Sequence, residues 1–559
     1  MSFEDAVRPS QSRYDDEDMS PTTPRELKGW YSYAVAAEVF AVVGVGLFLP
    51  VTLEQLPREK GVLFSDRSKP CVAPPGSGDA GRFRTRAGGD SSDDQCIVRF
   101  FGSDVTTTSF AISFADYGPY RKKLLLIFAY TGATVCSLFI FITSSVYFLA
   151  PILVIIGVTC LGSAFSLLNS FLPLLVSNHT SNRKPSLSDD SSDYELETLN
   201  PNLTNPTHRT DPNKLTEDLQ LSSRISSKGV GLGYASAVGF QFFSVGVIIL
   251  FDKSGLSETN PTLPIRVILF LVGIWWAIFT IPTLLWLRPR PGPPLPTQSK
   301  RGISSRLNSP ILFYLSFSIR SFWNTLKRAF RLRQTLIFLA AWFLLSDAVA
   351  TISGTAILFA RTELHMGTIP LVFLSLTSIG FSMIGAFSWP RVATRFSFAP
   401  KTILIACIVG MEIIPLYGLL GYIPFIQRIG VGGIQKPFEI YLVGILHGLV
   451  MGGISSYARS VYAPLIPEGR EAAFFALYAV TDKGSSAVGP ALVGWIVNRA
   501  GTIRPAFGFL AVLVLLPGPL LWSLDVEKGR EDAARSAGES GDGVVGGYAR
   551  VGGDEERED

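Results

Sequence analysis

The sequence predicts an all-α, polytopic membrane protein, and three observations carry that expectation. Of 559 residues, 47% are hydrophobic and only 17% charged, against about 25% charged in an average soluble domain; mean hydropathy is +0.33. Apolar runs of about twenty residues, enough to cross a hydrocarbon core about 30 Å thick, recur along most of the chain. Lys and Arg fall mostly between those runs, so a net charge of +4 speaks to membrane orientation and gives no reason to expect a nucleic-acid partner. Four His and five Cys, with no CxxC pair and no HExxH helix, supply neither a metal site nor a redox cofactor site. No nucleophile, base and oxyanion constellation suggests an intramembrane enzyme.

Taken in order, residues 1–29 are polar and Pro/Ser-rich, without an apolar h-region or cleavage site, and read as a disordered arm rather than a signal peptide. Eleven runs then qualify as spans: Trp30 to Leu53, Leu124 to Thr143, Phe148 to Val176, Val230 to Phe251, Ile265 to Trp286, Thr335 to Leu358, Ile369 to Trp389, Thr402 to Tyr422, Tyr441 to Tyr457, Ala472 to Val497 and Pro505 to Leu524. A twelfth, Val105 to Ala115, is truncated: eleven helical residues reach only about 16 Å. Counting it nevertheless makes the number even and collects Arg121, Lys122, Lys123, Arg391, Arg395, Lys401 and the basic segment 287–334 on one face, as orientation requires. The expected division is spans one to four over 30–176, spans five and six over 229–286, and spans seven to twelve over 335–524.

Between them lie polar segments. The loop 54–104 falls on the non-cytosolic side and holds Cys71 and Cys96; a disulfide there would stabilise by roughly 3 to 4 kcal/mol, and two free thiols fit equally well. Segment 177–228 is Ser-, Asp- and Asn-rich and expected to be disordered and cytosolic, with hydroxyls beside acids over Ser186 to Leu199 and sequons at Asn178 and Asn202 that this topology keeps from the glycosylation machinery. The tail 525–559 is acidic and Gly-rich and is expected to be disordered.

Ionisable groups inside spans cost about 2.5 to 3.5 kcal/mol each on insertion scales, so each needs a partner, water or a role. Glu38, Asp347, Glu412, Asp482 and Lys483 are such groups. Fixing helix register explains Glu412 well enough. Glu38, Asp347 and Lys483 better suit a water-filled central cavity: Lys483 has about 16 Å of helix to the nearer end and is too deep to snorkel. Asn169, Gln241, Ser346, Thr351, His447, Ser485 and Ser486 are polar but uncharged, and most such residues are interhelical glue. Gly444, Gly448 and Gly452, at four-residue spacing, mark a close helix contact.

Motifs narrow the class. The loop ADYGPYRKK, Ala115 to Lys123, places an acid (Asp116), a turn glycine (Gly118) and a cation (Arg121) between the second and third spans. It resembles the signature loop of the major facilitator superfamily, where a charged latch holds two six-helix halves together on the cytosolic side around a central cavity. RELKGWYSYAVAAEVF (Arg25 to Phe40), SKGVGLGY (Ser227 to Tyr234), and GLVMGGISSYARSVYAPLIP with FFALYAVTDKGSSAVGP (within Gly448 to Pro490) resemble the autophagy-related protein 22 family of that superfamily, fungal vacuolar amino-acid effluxers. The resemblance runs from about Arg25 to Asp525, except that family members carry a full second span. It implies a multi-pass vacuolar membrane protein releasing leucine and other neutral amino acids into the cytosol. Glu38 or Asp347 would meet the substrate ammonium, Lys483 its carboxylate, and one acid could carry a coupling proton. A non-transporting scaffold, or a transporter of another small metabolite, are the alternatives.

Overall fold

The computed structural model describes residues 18–58, 115–143, 145–179, 212–256, 260, 262–292, 310–485 and 488–549. Among them all regular structure is helical: α1 Pro24–Val39, a π-helical turn Phe40–Phe48, α2 Leu49–Arg58, α3 Tyr120–Ser137, α4 Ala150–Ser177, α5 Pro212–Lys253, α6 Leu263–Trp286, α7 Pro310–Arg331, α8 Arg333–Thr362, α9 Thr368–Arg395, α10 Pro400–Leu420, α11 Pro424–Ile429, α12 Pro437–Tyr462, α13 Glu471–Ser485, α14 Val488–Ala500, α15 Ala506–Leu515, α16 Pro517–Ser523 and α17 Val526–Ala549. Ten of these helical stretches are long and apolar enough to span. Within the expected run Ala472 to Val497, α13 and α14 are described as helix, and 486–487 lie outside the described residues. Cys71, Cys96, Val105 to Phe114, Ser186 to Leu199 and Asn202 lie outside the described residues.

Helix is the only backbone arrangement that satisfies its own N–H and C=O groups in hydrocarbon. Two hydrophobic cores form, one for each half. The first packs α1, α3, α4 and α6 around Trp30, Phe40, Phe171 and Trp276; the second packs α8, α10, α12, α13 and α15 around Phe338, Met411, Tyr457 and Phe474. Between them, among the described residues, Val230, Tyr234 and Ala386 make a small apolar cluster, and Ala472 and Ala476 of α13 pack into the first core. The halves meet where α5 packs on α9 and α12, and where α4 packs on α13.

Glycines set the tightest helix pair, α9 against α12. A Cβ at Gly448 would lie 2.2 Å from the Ser378 carbonyl oxygen, and one at Gly452 2.2 Å from that of Ser382 and 2.5 Å from the Ala386 nitrogen. The glycine row therefore permits backbone contact, as its spacing suggests.

Several segments expected to be disordered are ordered, because tertiary contacts supply what their composition lacks. At the N-terminus the buried Arg290 guanidinium clamps Glu26 bidentately, at 2.9 Å through both Nε and Nη2, and reaches the Asp18 and Ser20 carbonyls; the Thr22 amide donates to the Asn178 carbonyl at 2.8 Å. The fifth-span helix starts at Pro212, some twenty residues before the apolar run, with Ser222, Ser223, Ser226 and Ser227 buried against the rest of the protein. The basic segment 287–334 contains α7. The tail begins as α17, where Ala533 is buried and Gly529 lies against Leu465 and Gln334.

Replacing Gly452 by Val should force α9 and α12 apart and cost about 1–3 kcal/mol. At Gly354 in α8 nothing lies within 4 Å of an added Cβ, so Gly354→Ala should be neutral or slightly stabilising. Thermal unfolding of the purified protein checks both; equal midpoints for the two variants would contradict the packing assignment.

Candidate functional site

A cavity of about 320 Å³ opens between the halves, at the small end of the roughly 300–1,000 Å³ typical of small-molecule sites. Six helices line it: Glu38 from α1, Phe165 and Asn169 from α4, Tyr234 from α5, Trp342, Leu345, Ser346 and Val349 from α8, Met451, Ile454, Ser455 and Arg459 from α12, and Tyr478 and Asp482 from α13. One wall is aromatic, with Trp342 stacked on Tyr478 at 4.7 Å and Tyr478 on Tyr462 at 5.4 Å between centroids. Leu345, Val349, Met451 and Ile454 extend that wall as an aliphatic surface.

Among the described residues that line this cavity, Arg459 is the cation. Its side chain reaches across from α12 to the other half, where Nε donates to Ser226 Oγ at 2.8 Å and Nη1 to Asn169 Oδ1 at 2.7 Å. The guanidinium lies 5.7 Å from the Trp30 ring centroid, and that indole is fixed by donating to the Leu168 carbonyl at 2.9 Å. Arg459 is only 9% exposed, yet each of these partners is neutral. A buried guanidinium is costly to desolvate and bonds most strongly with a carboxylate.

Of the residues predicted from sequence, Glu38 does line the cavity, half-buried. It stands immediately before the π-helical turn, a local widening of the kind found at functional sites. Asp347 does not. Its Oδ1 accepts the Gly489 N–H at 3.0 Å, which fixes the carboxylate against α14. The reason is helical phase: the neighbouring Ser346, about 100° around α8, faces the cavity instead and donates to Asp482 Oδ1 at 2.5 Å. Lys483 falls in α13, and its side chain lies outside the described residues. Arg459 was missed because the apolar run ends at Tyr457, whereas α12 continues unbroken to Tyr462. The absence of any Gly or Pro between Tyr457 and Tyr462 was the available signal.

At one end of the bundle the halves are held by charge. Asp116 Oδ1 accepts the Ala472 N–H at 2.6 Å and Oδ2 the Ala473 N–H at 2.8 Å, so a residue of the first half caps α13 in the second. Arg121 Nη2 joins Asp116 at 3.1 Å to Glu471 at 2.9 Å, over the Phe171 ring. Gly118, at φ +49°, makes the turn that brings Asp116 round and accepts the Gly292 N–H at 2.9 Å. All three ionised groups are buried, so this end of the cavity is sealed. Burial, opposed by Arg121 and reinforced by the second carboxylate Glu471, pushes Asp116 up to about 6.

Two helical halves around a polar cavity, closed at one end by charge, have the major-facilitator-type fold. The crystal structure of the human organic anion transporter MFSD10 (TETRAN) shares the fold, with a TM-score of 0.52 at 13% identity over 89% of this chain and 100% of that one. The chain belongs to the Vacuole effluxer Atg22 like family, whose model matches residues 22–534. It is 60% identical to autophagy-related protein 22-1 of Phaeosphaeria nodorum over 97% of each chain. It is 50% identical to autophagy-related protein 22 of Botryotinia fuckeliana, over 94% of this chain and 93% of that one.

The pH dependence of the sealed end follows from Asp116. With its carboxyl raised from about 3.8 when released to about 6 when sealed, the sealed state binds the proton more tightly. Its stabilisation by protonation is full below the lower value and lost as pH rises through the upper one. A cysteine replacing Ala476, buried on α13 in the core of the other half, should therefore be labelled about tenfold more slowly near pH 5 than near pH 7.5, beyond the trend of the same protein carrying Asp116→Asn. Identical trends with and without Asp116 would rule the dependence out.

Proposed function

We propose that the protein releases amino acids, leucine and other neutral ones, across the vacuolar membrane into the cytosol by alternating access. The observation that carries this reading is Arg459: a nearly buried guanidinium, facing the cavity, whose hydrogen-bond partners are neutral and which shares the cavity with the Glu38 carboxylate. It suits the carboxylate of the substrate, in the role the sequence suggested for Lys483. Glu38 and Asp482, both on the cavity wall, suit the ammonium, and the surface formed by Trp342, Leu345, Val349, Met451 and Ile454 suits an aliphatic side chain. A zwitterion would thus be bound at both charges without leaving net charge buried.

In this reading the end closed by Asp116, Arg121 and Glu471 faces the cytosol, together with both termini and segment 177–228. The Asn178 side chain is buried and donates to the Leu174 carbonyl at 3.1 Å; a glycan found on it would contradict this orientation. Substrate entering from the lumen would bridge Arg459 on the second half and Glu38 on the first, drawing the halves together on the luminal side while the cytosolic contact opens. A proton passing to Glu38 or Asp482 in each cycle would couple export to an acidic lumen. The family whose name contains "Vacuole effluxer" and the charge pair of the cavity both favour this reading over a scaffold.

Labelled-leucine transport in proteoliposomes tests it. Arg459→Gln should reduce transport by at least a hundredfold, and Arg459→Lys, which keeps charge but loses the planar fork, by about tenfold. Lys483→Met should have a smaller effect than Arg459→Gln. Unchanged leucine transport in Arg459→Gln would remove Arg459 from the site. Competition by 4-methylpentanoate, which has leucine's carboxylate and side chain but no ammonium, should be weak; competition equal to that of leucine would favour a monocarboxylate carrier.

A further inference from the structure

The helix α7 lies between the halves and ends one extended residue, Leu332 at φ −88° and ψ 93°, before α8 enters the membrane at Arg333. It therefore sits at the bilayer boundary, at the sealed end: next to it Gln334 accepts the Asp525 N–H at 3.1 Å and the Thr335 hydroxyl donates to the Leu465 carbonyl at 2.9 Å, six residues before Glu471. Its 22 residues contain no Asp or Glu.

Around the described part of the helix, at about 100° per residue, three arcs separate. Ser321, Thr325 and Ala329 are buried and form the side packed against α8 and α13. Next comes an exposed apolar ridge of Ile319 (47%), Trp323 (56%) and Phe330 (62%). Beyond it, opposite the protein, stand exposed Arg320, Lys327 and Arg331. Lys327 Nζ lies 6.0 Å from the Trp323 ring centroid, so cation and indole share one patch. The arrangement fits a helix lying in the plane of a membrane surface, with protein on one side, acyl chains below and headgroups along its outer edge.

We propose that α7 is an anionic-lipid-binding surface helix, with Ile319, Trp323 and Phe330 inserted at the acyl boundary and Arg320, Lys327 and Arg331 holding negatively charged headgroups. A tryptophan beside basic residues at a span entry is the side-chain combination that interfaces favour, and each cation near an anionic leaflet adds to the attraction. A zwitterionic leaflet would satisfy the apolar ridge but offer the three cations no net charge. Because α7 also packs against α13, whose first turn receives Asp116, leaflet charge and the sealed end share one structural neighbour.

Hydrogen–deuterium exchange on the full-length protein in nanodiscs tests this independently of any transported substrate. The segment 319–331 should exchange about tenfold or more slowly in phosphatidylcholine mixed with phosphatidylserine than in phosphatidylcholine alone. The triple variant Arg320→Glu, Lys327→Glu, Arg331→Glu should lose that difference, as should the unaltered protein at high salt. Trp323→Ser should speed exchange in both lipids. Equal exchange of the unaltered protein in the two lipids would overturn the proposal. So would protection that persists undiminished in lipid-free detergent, which would assign the exposed face to a protein contact.

Discussion

Hydrocarbon cannot hydrogen-bond, so every polar group this chain carries into the membrane has to be answered from within the protein. The backbone is answered by helix formation. Many hydroxyls are answered one turn back, as where Ser166 donates to the Gly162 carbonyl, Ser244 to that of Phe240 and Thr280 to that of Trp276. Part of what remains meets at the seam between the two apolar cores, where Asp116, Arg121 and Glu471 pair and Arg459 bonds Asn169 and Ser226. The seam is polar because it is where polar groups can find one another.

Two charged arrangements along that seam differ in how completely they are satisfied. Around Arg121, two carboxylates and the open N–H groups of a helix start surround one cation. That contact is closed and has no place for a ligand. Around Arg459 the partners are an amide, a hydroxyl and an indole face, none of which neutralises its charge. The first arrangement is a fastening; the second leaves a guanidinium hydrogen-bonded to neutral groups at the cavity wall. In the fastening two buried acids share a single guanidinium, whose Nε has no hydrogen-bond partner among the described residues.

The same division explains which parts can move. Each half has its own continuous core, whereas the apolar cluster between them is small. Rigid halves and a polar seam are the conditions for rocking between two states. The connections at the sealed end keep the rest in place. Arg290 draws the N-terminal arm over the end of α6, and Arg530 of α17 lies 3.6 Å from Asp218 of α5, tying the tail of the second half to the first.

Composition and the length of the apolar runs determined the membrane class, most of the spans, the Asp116 to Arg121 loop and the cavity position of Glu38, because hydrophobic length and charge exclusion are properties a linear chain displays directly. The motifs around Arg25, Ser227 and Gly448 determined the family. Only the tertiary structure decided that Asp347 turns onto Gly489 while its neighbour Ser346 faces the cavity, since that depends on which neighbours surround α8 at each phase. It alone brought Arg459 of α12 to Asn169 of α4 and Ser226 of α5, residues 290 and 233 positions away. It alone ordered α17 and the start of α5, whose polar composition offers too little apolar surface to fold without the contacts that other segments provide, and placed the amphipathic α7 within the basic linker. Helical phase and long-range pairing are set by packing, and a sequence read along its length contains neither.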